Sequence, residues 1–141
     1  MKIDINKYMG KWYEIARIPS SFEPKLTNVS TVYTLMDDGN IKVYNSGYVS
    51  DEKIEIQGIA KPTDEDDEFK VTFFNNVESD YKILAVSEGT SFYEVALVGG
   101  SNPDYLWIIS RSKFIFDSTY NILIDIAKKK GYNADKLEIT N

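Results

Sequence analysis

The chain of 141 residues, 43% hydrophobic and 27% charged, is large enough for one hydrophobic core and short for two. Its formal charge of -6, from 16 Lys and Arg against 22 Asp and Glu, disfavours broad contact with nucleic acid or anionic lipid. The absence of Cys and His excludes disulfides and Ser-His-Asp or Cys-His catalysis, and it leaves only carboxylates for a metal. We therefore expect a single domain over 1–141 that has no nucleic-acid partner, no metal and no cofactor.

Two acidic runs, 51–52 and 63–68, lie between apolar stretches. Neither has the ligand spacing of a calcium loop, so both are predicted to be solvated turns. The N-terminal stretch 1–12 lacks the apolar core of a signal peptide, and no later segment approaches the roughly 18 apolar residues of a membrane-spanning helix. Membrane association would therefore need a leader, and none is recognisable in this chain.

Runs of alternating apolar and polar residues, rich in β-branched and aromatic side chains, follow one another along most of the chain. The links between them are short and carry turn residues, which favours antiparallel neighbours. Only the link 19–27 is longer, and its Phe22 and Leu26 could form a lid over an opening or contact an outer wall. The eight predicted strands span 10–18, 28–36, 40–48, 53–61, 67–74, 80–87, 92–99 and 104–111.

The hydrophobic period changes after the last of these strands. The segment 117–130 has one apolar stripe typical of an amphipathic helix. Asp117 is expected to cap its start, the lysines at 128–130 suit its C-terminal dipole, and Gly131 suits the left-handed position past its end. A last run, 136–140, is expected to form a short ninth strand on the sheet edge. The apolar stripe consists of Ile122, Leu123, Ile126 and Ala127.

Eight meandering strands and one amphipathic helix predict an all-β fold, an eight-stranded up-and-down antiparallel β-barrel with a C-terminal α-helix packed outside. Closure removes the unpaired edges that an open sheet would expose. A β-sandwich is the alternative, and the regular turns count against it. The interior of an eight-stranded barrel can be filled by side chains or can hold one small ligand.

The run from Gly10 to Arg17, GKWYEIAR, resembles the first signature of the lipocalins, in particular of the branch that includes the bacterial outer-membrane lipocalin and apolipoprotein D. Asp104-Tyr105 and Arg111 stand where the family has two further signatures, and the resemblance extends over about residues 5 to 140. It implies that Trp12 enters the closed end of the barrel, that Arg111 lies across the indole in a cation–π contact, and that Gly10 turns close beneath. These signature residues are expected to be structural.

Strand alternation then predicts which residues face the interior. If Trp12 and Arg111 point inward, Tyr13, Ile15 and Arg17 of the first strand point outward. Matching the middle strands to the lipocalin pattern completes the expected cavity lining, which suits an elongated apolar molecule with one polar end. This lining comprises Glu14, Ala16, Thr31, Tyr33, Val43, Asn45, Ile56, Gly58, Val71, Phe73, Tyr81, Ile83, Val98, Tyr105 and Trp107. The same pattern turns Val29, Leu35, Ile41, Ala60, Phe69, Ala85, Ala96 and Ile109 inward.

Glu14 is unusual in this lining, because a carboxylate facing an apolar interior is costly unless it is paired or protonated. Its expected partner is Arg111, a tyrosine hydroxyl or buried water. A structural polar network is the favoured role, while binding of a ligand's polar end and acid–base chemistry stay open. A charged Glu14 would turn a ligand carboxylate toward the barrel mouth.

The resemblance implies binding and transport or storage of a small hydrophobic ligand, a fatty acid, lysophospholipid or similar lipid. The alternative is an isomerase or de-epoxidase on the same barrel, with Glu14 or a tyrosine as acid or base. An interaction role through the open-end loops has no residue pattern in its favour. We expect a monomer or weak homodimer, and the resemblance implies an extracytoplasmic or outer-membrane-associated location.

Overall fold

The alternating runs form strands, and a computed structural model describes residues 1–19, 26–73 and 77–140 of the chain. The proposed lid residue Phe22 lies outside the described residues, and Leu26 is half-buried. A turn of 3-10 helix, Ala134–Lys136, follows the second helix. The elements are α1 (Ile5–Tyr8), β1 (Gly10–Arg17), β2 (Thr27–Leu35), β3 (Ile41–Val49), β4 (Glu52–Pro62), β5 (Glu68–Phe73), β6 (Glu78–Val86), β7 (Val95–Gly99), β8 (Leu106–Ser110), α2 (Asp117–Lys129) and β9 (Glu138–Ile139).

The strands close into a ring. From β2 to β8 each strand pairs with the next in the chain, β8 pairs with β1, and β1 pairs with β2. All these pairings are antiparallel. The predicted eight-stranded up-and-down barrel is confirmed, and the β-sandwich alternative is wrong. The short ninth strand is also confirmed, since β9 pairs with Ala16 and Arg17 of β1.

Strands β7 and β8 begin later than predicted, at Val95 and Leu106 instead of 92 and 104. The residues just before them form other contacts. Tyr93 donates its backbone N–H to a carbonyl of α1 at 3.0 Å, and Tyr105 donates its N–H to the carbonyl of Asn102 at 2.9 Å. These bonds hold both residues in loops, which an alternation pattern does not reveal.

Helix α1, which the sequence pattern did not predict, lies across one end of the barrel, the closed end. Trp12 is fully buried there, and the guanidinium carbon of Arg111 lies 3.9 Å from its ring centroid, so the expected cation–π contact is present. Gly10 has a φ of 98°, and a Cβ on it would lie 3.3 Å from Arg111 Nη1. The Arg111 donors bond the carbonyls of Lys7, Met9, Lys11 and Tyr93 at 2.9–3.0 Å.

Helix α2 packs outside the barrel against β1, β7 and β8. Its apolar face is rotated from the predicted stripe, because Ile122 is 60% exposed while Leu123 and Ala127 are buried. The expected capping role of Asp117 is wrong, since it is the first helical residue and Phe116 occupies the N-cap position without a side-chain hydrogen bond. The outer cluster consists of the buried residues Ile15, Ala16, Val95, Leu97, Leu106, Ile108, Leu123, Ala127 and Ala134.

The interior side chains of the barrel form a second, inner cluster that extends from α1 to the middle of the strands. Leu35 was expected in it but is 41% exposed, because it lies at the very end of β2. In the described part of the chain, no helix combines the length and hydropathy needed to cross a membrane. The inner cluster consists of Tyr8, Trp12, Tyr33, Ile41, Val43, Ala60, Phe69, Val71, Tyr81, Ile83, Tyr93, Ala96, Val98 and Ile109.

Candidate functional site

The candidate site is the barrel interior toward the end opposite α1. We call this end the mouth: β1, β3, β5 and β7 end there, and the strands that follow them begin there. The exposure of the interior side chains increases along the barrel axis toward the mouth. Trp12 at the closed end is 0% exposed, Thr31 and Asn45 in the middle of β2 and β3 are half-buried, and so are Phe73 and Trp107 near the mouth ends of β5 and β8. A ligand with access to the interior would therefore meet these half-buried residues first.

A β-bulge in β1 changes which residues face this interior. Glu14 pairs with Ile109 of the inner cluster, but Ala16 pairs with Ile108 of the outer cluster, so the alternation is interrupted between Glu14 and Ala16. A bulge adds one residue to a strand and reverses the parity beyond it. The prediction that Ala16 lines the cavity is therefore wrong, and Ala16 packs under α2 instead.

The same bulge turns Arg17 inward, although alternation had placed it outside. Arg17 is the register partner of Trp107, whose side chain packs against the inner cluster. Its Nη1 lies 4.0 Å from Oε2 of Glu14, and the two side chains are 21% and 11% exposed. Cross-strand partners share a face of the sheet, so Arg17 brings a cation to the mouth half of the interior.

A second irregularity, in β6, has the same consequence. Ile83 pairs with Val98 inside the barrel, whereas Ala85 is displaced to the outer cluster. Val86 then packs against the inner cluster in its place. The predicted inward position of Ala85 is wrong for the same reason as that of Ala16: a bulge reverses the faces beyond it.

Among the described residues, Glu14 has a neighbouring cation that the sequence did not predict. Glu14 is only 9% exposed, and the described cation beside it is Arg17. Arg111 cannot serve, because its guanidinium is used at the closed end by backbone carbonyls. A buried carboxylate is tolerated when a cation is close, so the pair supplies charge of both signs to an otherwise apolar lining.

Three tyrosine hydroxyls meet deeper inside the barrel, and we call this group the tyrosine triad. The Oη atoms of Tyr8 and Tyr81 lie 2.6 Å apart, and those of Tyr33 and Tyr81 lie 2.8 Å apart. Burial raises the pKa of all three phenols well above the ordinary value, so they stay protonated at neutral pH. The triad therefore offers neutral hydroxyls and no charge.

The side chains between the triad and the mouth combine aromatic rings with one polar pair. Thr31 Oγ1 donates to Asn45 Oδ1 at 2.7 Å. The Trp107 ring meets Tyr81 edge-on, with centroids 5.9 Å apart. Gly58 leaves room for a ring, since a Cβ there would lie 2.6 Å from Cδ1 of the Phe73 side chain. This lining is mostly apolar, with few and localised hydrogen-bonding groups.

Most of the predicted lining residues share this interior, and their contact with a ligand stays a prediction. Tyr105 does not share it: the side chain is 58% exposed at the mouth rim, and Asp104 beside it bonds Asn133 Nδ2 and Lys136 Nζ outside the barrel. The predicted residues in the inner cluster or packed on it are Tyr33, Val43, Val71, Phe73, Tyr81, Ile83, Val98 and Trp107. Those turned inward by strand register are Glu14, Thr31, Asn45, Ile56 and Gly58.

Sequence reasoning missed three interior residues that matter here, namely Arg17, Tyr8 and Tyr93. No alternation pattern could find Arg17, because a bulge has no fixed sequence signature. Tyr8 could have been found from a helix-capping residue. Asp4 caps α1 by accepting from the Asn6 N–H, and a short capped helix just before Trp12 indicates a segment that covers the end of the barrel. Tyr93 lies in a loop but reaches the same end, where its hydroxyl accepts from the Asp4 N–H at 2.9 Å.

Two other features lie outside the barrel interior. A groove of about 410 Å³ runs between β1, β9 and the start of α2, and it is lined by Ile15, Lys113, Phe114, Ile115, Asp117, Tyr120 and Ile139. The carboxylates of Glu65, Asp67 and Glu68 cluster within 4.8 Å of one another in and beside the β4–β5 turn. Neither feature shares a residue with the predicted lining.

Comparison with known proteins gives a consistent result over the whole chain. A family model described as a lipocalin-like domain matches residues 3–141. The chain is 38% identical over 138 residues to outer membrane lipoprotein Blc of Citrobacter freundii, covering 95% of this chain and 76% of that protein. It is 34% identical over 149 residues to apolipoprotein D of Bos taurus, covering 98% of this chain and 76% of that protein.

Solved structures agree on the architecture. The crystal structure of lobster apocrustacyanin A1 matches with a TM-score of 0.76 at 19% identity, covering 96% of this chain and 77% of the other. Insecticyanin from the tobacco hornworm Manduca sexta matches with a TM-score of 0.77 at 21% identity, covering 99% and 81%. At these identities the likeness supports the fold alone.

Proposed function

This chain belongs to the lipocalin family, as the signatures of its first and eighth strands predicted, and we propose that its barrel binds and carries or stores a long-chain lipid. The family is known for binding small hydrophobic molecules. Two of the relatives are named outer membrane lipoprotein and apolipoprotein, which supports a lipid as the class of ligand. A fatty acid, lysophospholipid or related lipid fits this proposal.

One observation carries the proposal: the barrel interior is polarised along its axis. Toward the closed end the interior offers aromatic and aliphatic groups and the neutral hydroxyls of the tyrosine triad, whereas Arg17 and Glu14 stand in the mouth half beside Trp107. Apolar burial would drive binding of a hydrocarbon chain. A chain with one charged end would place its tail toward Trp12 and its charge toward Arg17.

The polarity of the mouth half also sets the orientation of an acid. The carboxylate of such a ligand would be attracted to the Arg17 guanidinium and repelled by Glu14, which lies one step deeper. Glu14 would hold Arg17 in place and exclude a carboxylate from the deeper interior. This gives the buried carboxylate a structural and selective role without a chemical step.

We infer binding without catalysis. The relatives are binding and transport proteins of this family. The interior tyrosines are poor general bases, because burial raises their pKa and a base must be able to lose its proton near the working pH. No observation in the described residues favours the isomerase or de-epoxidase alternative over a carrier.

The test combines mass spectrometry with displacement. Purified protein is analysed under denaturing conditions for a bound lipid, and a fluorescent fatty acid is then titrated and displaced by unlabelled oleic acid. We expect saturable binding of one equivalent. Absence of saturable, displaceable binding by the folded protein would refute the lipid-carrier proposal.

Two adjacent substitutions locate the ligand. Ile56 faces the interior opposite Asn45, and Gln57 is exposed on the outer face of the same strand. Ile56→Trp should fill the mouth half of the barrel and weaken fatty-acid binding about tenfold or more, whereas Gln57→Trp should leave it unchanged. Equal effects of the two variants would place the ligand outside the barrel.

A further inference from the structure

The tyrosine triad has one more donor than its own contacts can use. Three phenol oxygens carry three protons, but they make two hydrogen bonds, Tyr8 to Tyr81 and Tyr33 to Tyr81. The hydroxyl of Tyr81 can donate only once. None of the three hydroxyls has a further hydrogen-bond partner among the described residues.

The count holds for every arrangement of the protons. If Tyr8 and Tyr33 both donate to Tyr81, the proton of Tyr81 is left over. If Tyr81 donates to either neighbour, the proton of that neighbour is left over instead. A buried donor without an acceptor costs about 1–3 kcal/mol, so the triad favours any arrangement that brings an acceptor oxygen to it.

The position of the triad allows a ligand to supply that oxygen. Tyr33 and Tyr81 retain 7% and 8% exposure, whereas Trp12 at the closed end retains 0%. Tyr81 contacts the Trp107 ring, and Trp107 is the register partner of Arg17. The triad, the indole and the cation thus follow one another from the deep interior to the mouth.

Resting on the proposed lipid-carrier function, we propose that the triad is a second polar subsite, which binds a neutral acceptor oxygen in the chain of a long-chain acid whose carboxylate lies at Arg17. The ligand class is therefore an oxygenated fatty acid, with a keto or hydroxyl group along its chain. The mouth selects the charged end and the triad selects the oxygen in the tail.

A carboxylate is a poorer occupant of the triad than a ketone. Bringing an ionised group to this depth requires a cation to offset the loss of water. The guanidinium of Arg111 interacts electrostatically with Tyr8 of the triad, but all its described hydrogen bonds go to backbone carbonyls at the closed end. A neutral oxygen satisfies the spare donor without that cost.

The experiment compares octadecanoic acid with a series of its keto derivatives that carry the ketone at successive positions. Methyl-branched acids with the branch at the same positions are the shape controls. Each is used to displace a fluorescent fatty acid from the full chain. We expect the best-placed keto acid to bind about tenfold more tightly than the unsubstituted acid, as one added hydrogen bond predicts, and the branched acids to show no such gain.

The variant must remove all three hydroxyls, because any one that remains still presents a proton. The triple substitution Tyr8→Phe, Tyr33→Phe and Tyr81→Phe keeps the ring shapes, and replacing all partners of a hydrogen bond together is nearly neutral for stability. We expect it to bind the keto and unsubstituted acids equally. The control is Tyr44→Phe, which removes a phenol on the outer face, where it donates to Glu55, and should keep the preference.

A spectroscopic measurement keeps the test independent of that variant's folding. The infrared carbonyl band of a keto acid labelled with ¹³C at the ketone should shift to lower frequency on binding to the wild-type chain, because a phenol donates to it. Displacement by both acids with no keto preference and no band shift would overturn the subsite and leave the carrier function standing. Displacement by neither acid would refute the carrier function, and the subsite with it.

Discussion

The closed end and the mouth half of the barrel hold their polar groups in different ways. At the closed end the partners are main-chain atoms: Trp12 Nε1 donates to the Tyr8 carbonyl at 2.8 Å, and Arg111 donates to four carbonyls. Farther toward the mouth, the described polar contacts include pairs of side chains, Thr31 with Asn45 in the middle of β2 and β3, and Glu14 with Arg17 in the second half of β1.

This difference separates stability from binding. At the closed end the acceptors are fixed main-chain atoms and one guanidinium bonds four of them, so Arg111 can move only by breaking several hydrogen bonds together, and the closed end resists change. A side chain can exchange its partner for a ligand by a rotation about its own bonds. The comparison predicts that substitutions at the closed end mainly change the free energy of unfolding, whereas those near the mouth mainly change affinity.

Arg111→Ala tests the closed end and should have the largest effect. It removes the donors of four carbonyls and the cation–π contact with Trp12. At about 1 kcal/mol for each lost bond, the free energy of unfolding should fall by about 4 kcal/mol. Urea unfolding measures it. A loss no greater than that of Arg17→Ala would contradict the proposed division between the two ends.

The tyrosine triad joins α1 at the closed end to β2 and β6, and its protons give the next largest effect. Burial raises the pKa of these phenols in the folded chain. Below the unfolded value of about 10, both states are protonated and the stability is fully present. Above it the unfolded chain releases protons that the folded chain keeps, so the stability is lost as the pH rises.

Urea unfolding at increasing pH measures this loss. For three phenols we expect a fall of roughly 3 kcal/mol in the free energy of unfolding between about pH 9 and about pH 10.7. The triple Tyr→Phe variant is the matched reference, because it keeps every other tyrosine of the chain. If wild type and triple variant lost stability in parallel above pH 10, the triad would not be the group responsible.

The barrel itself follows from the sequence because alternation, turn residues and one amphipathic helix all require the same closed sheet. The assignment of side chains to the inner or outer face depends on strict alternation along each strand, and this alternation holds only where the strand is regular. It held for Tyr33, Val43 and Val98, which are interior as predicted. It failed beyond the bulges, at Ala16 and Ala85, where one extra residue reversed the faces.

Helix α1 was missed for a different physical reason. Four residues, Ile5–Tyr8, are too short for a periodic pattern, and the helix is held by tertiary contacts instead. Tyr93 donates its backbone N–H to the Lys7 carbonyl, and Arg111 donates to the same atom. These contacts join residues far apart in the chain, and no local signal reports them. The triad was missed together with α1, since it depends on Tyr8 of that helix.

Arg17→Gln tests the mouth half, where sequence reasoning failed and where the smallest effect is expected. Loss of the cation should weaken binding of a long-chain acid about fivefold, because the Arg17 side chain is 21% exposed and its attraction for the ligand carboxylate is partly screened by water. Binding of the matching long-chain alcohol should not change, since the alcohol carries no charge. Lys61→Gln, which removes an exposed cation on the outer face of β4, is the control. Displacement titrations with both ligands distinguish a charge contact from a packing defect. A packing defect would weaken binding of the acid and of the alcohol equally. That result would show that Arg17 does not contact the ligand carboxylate.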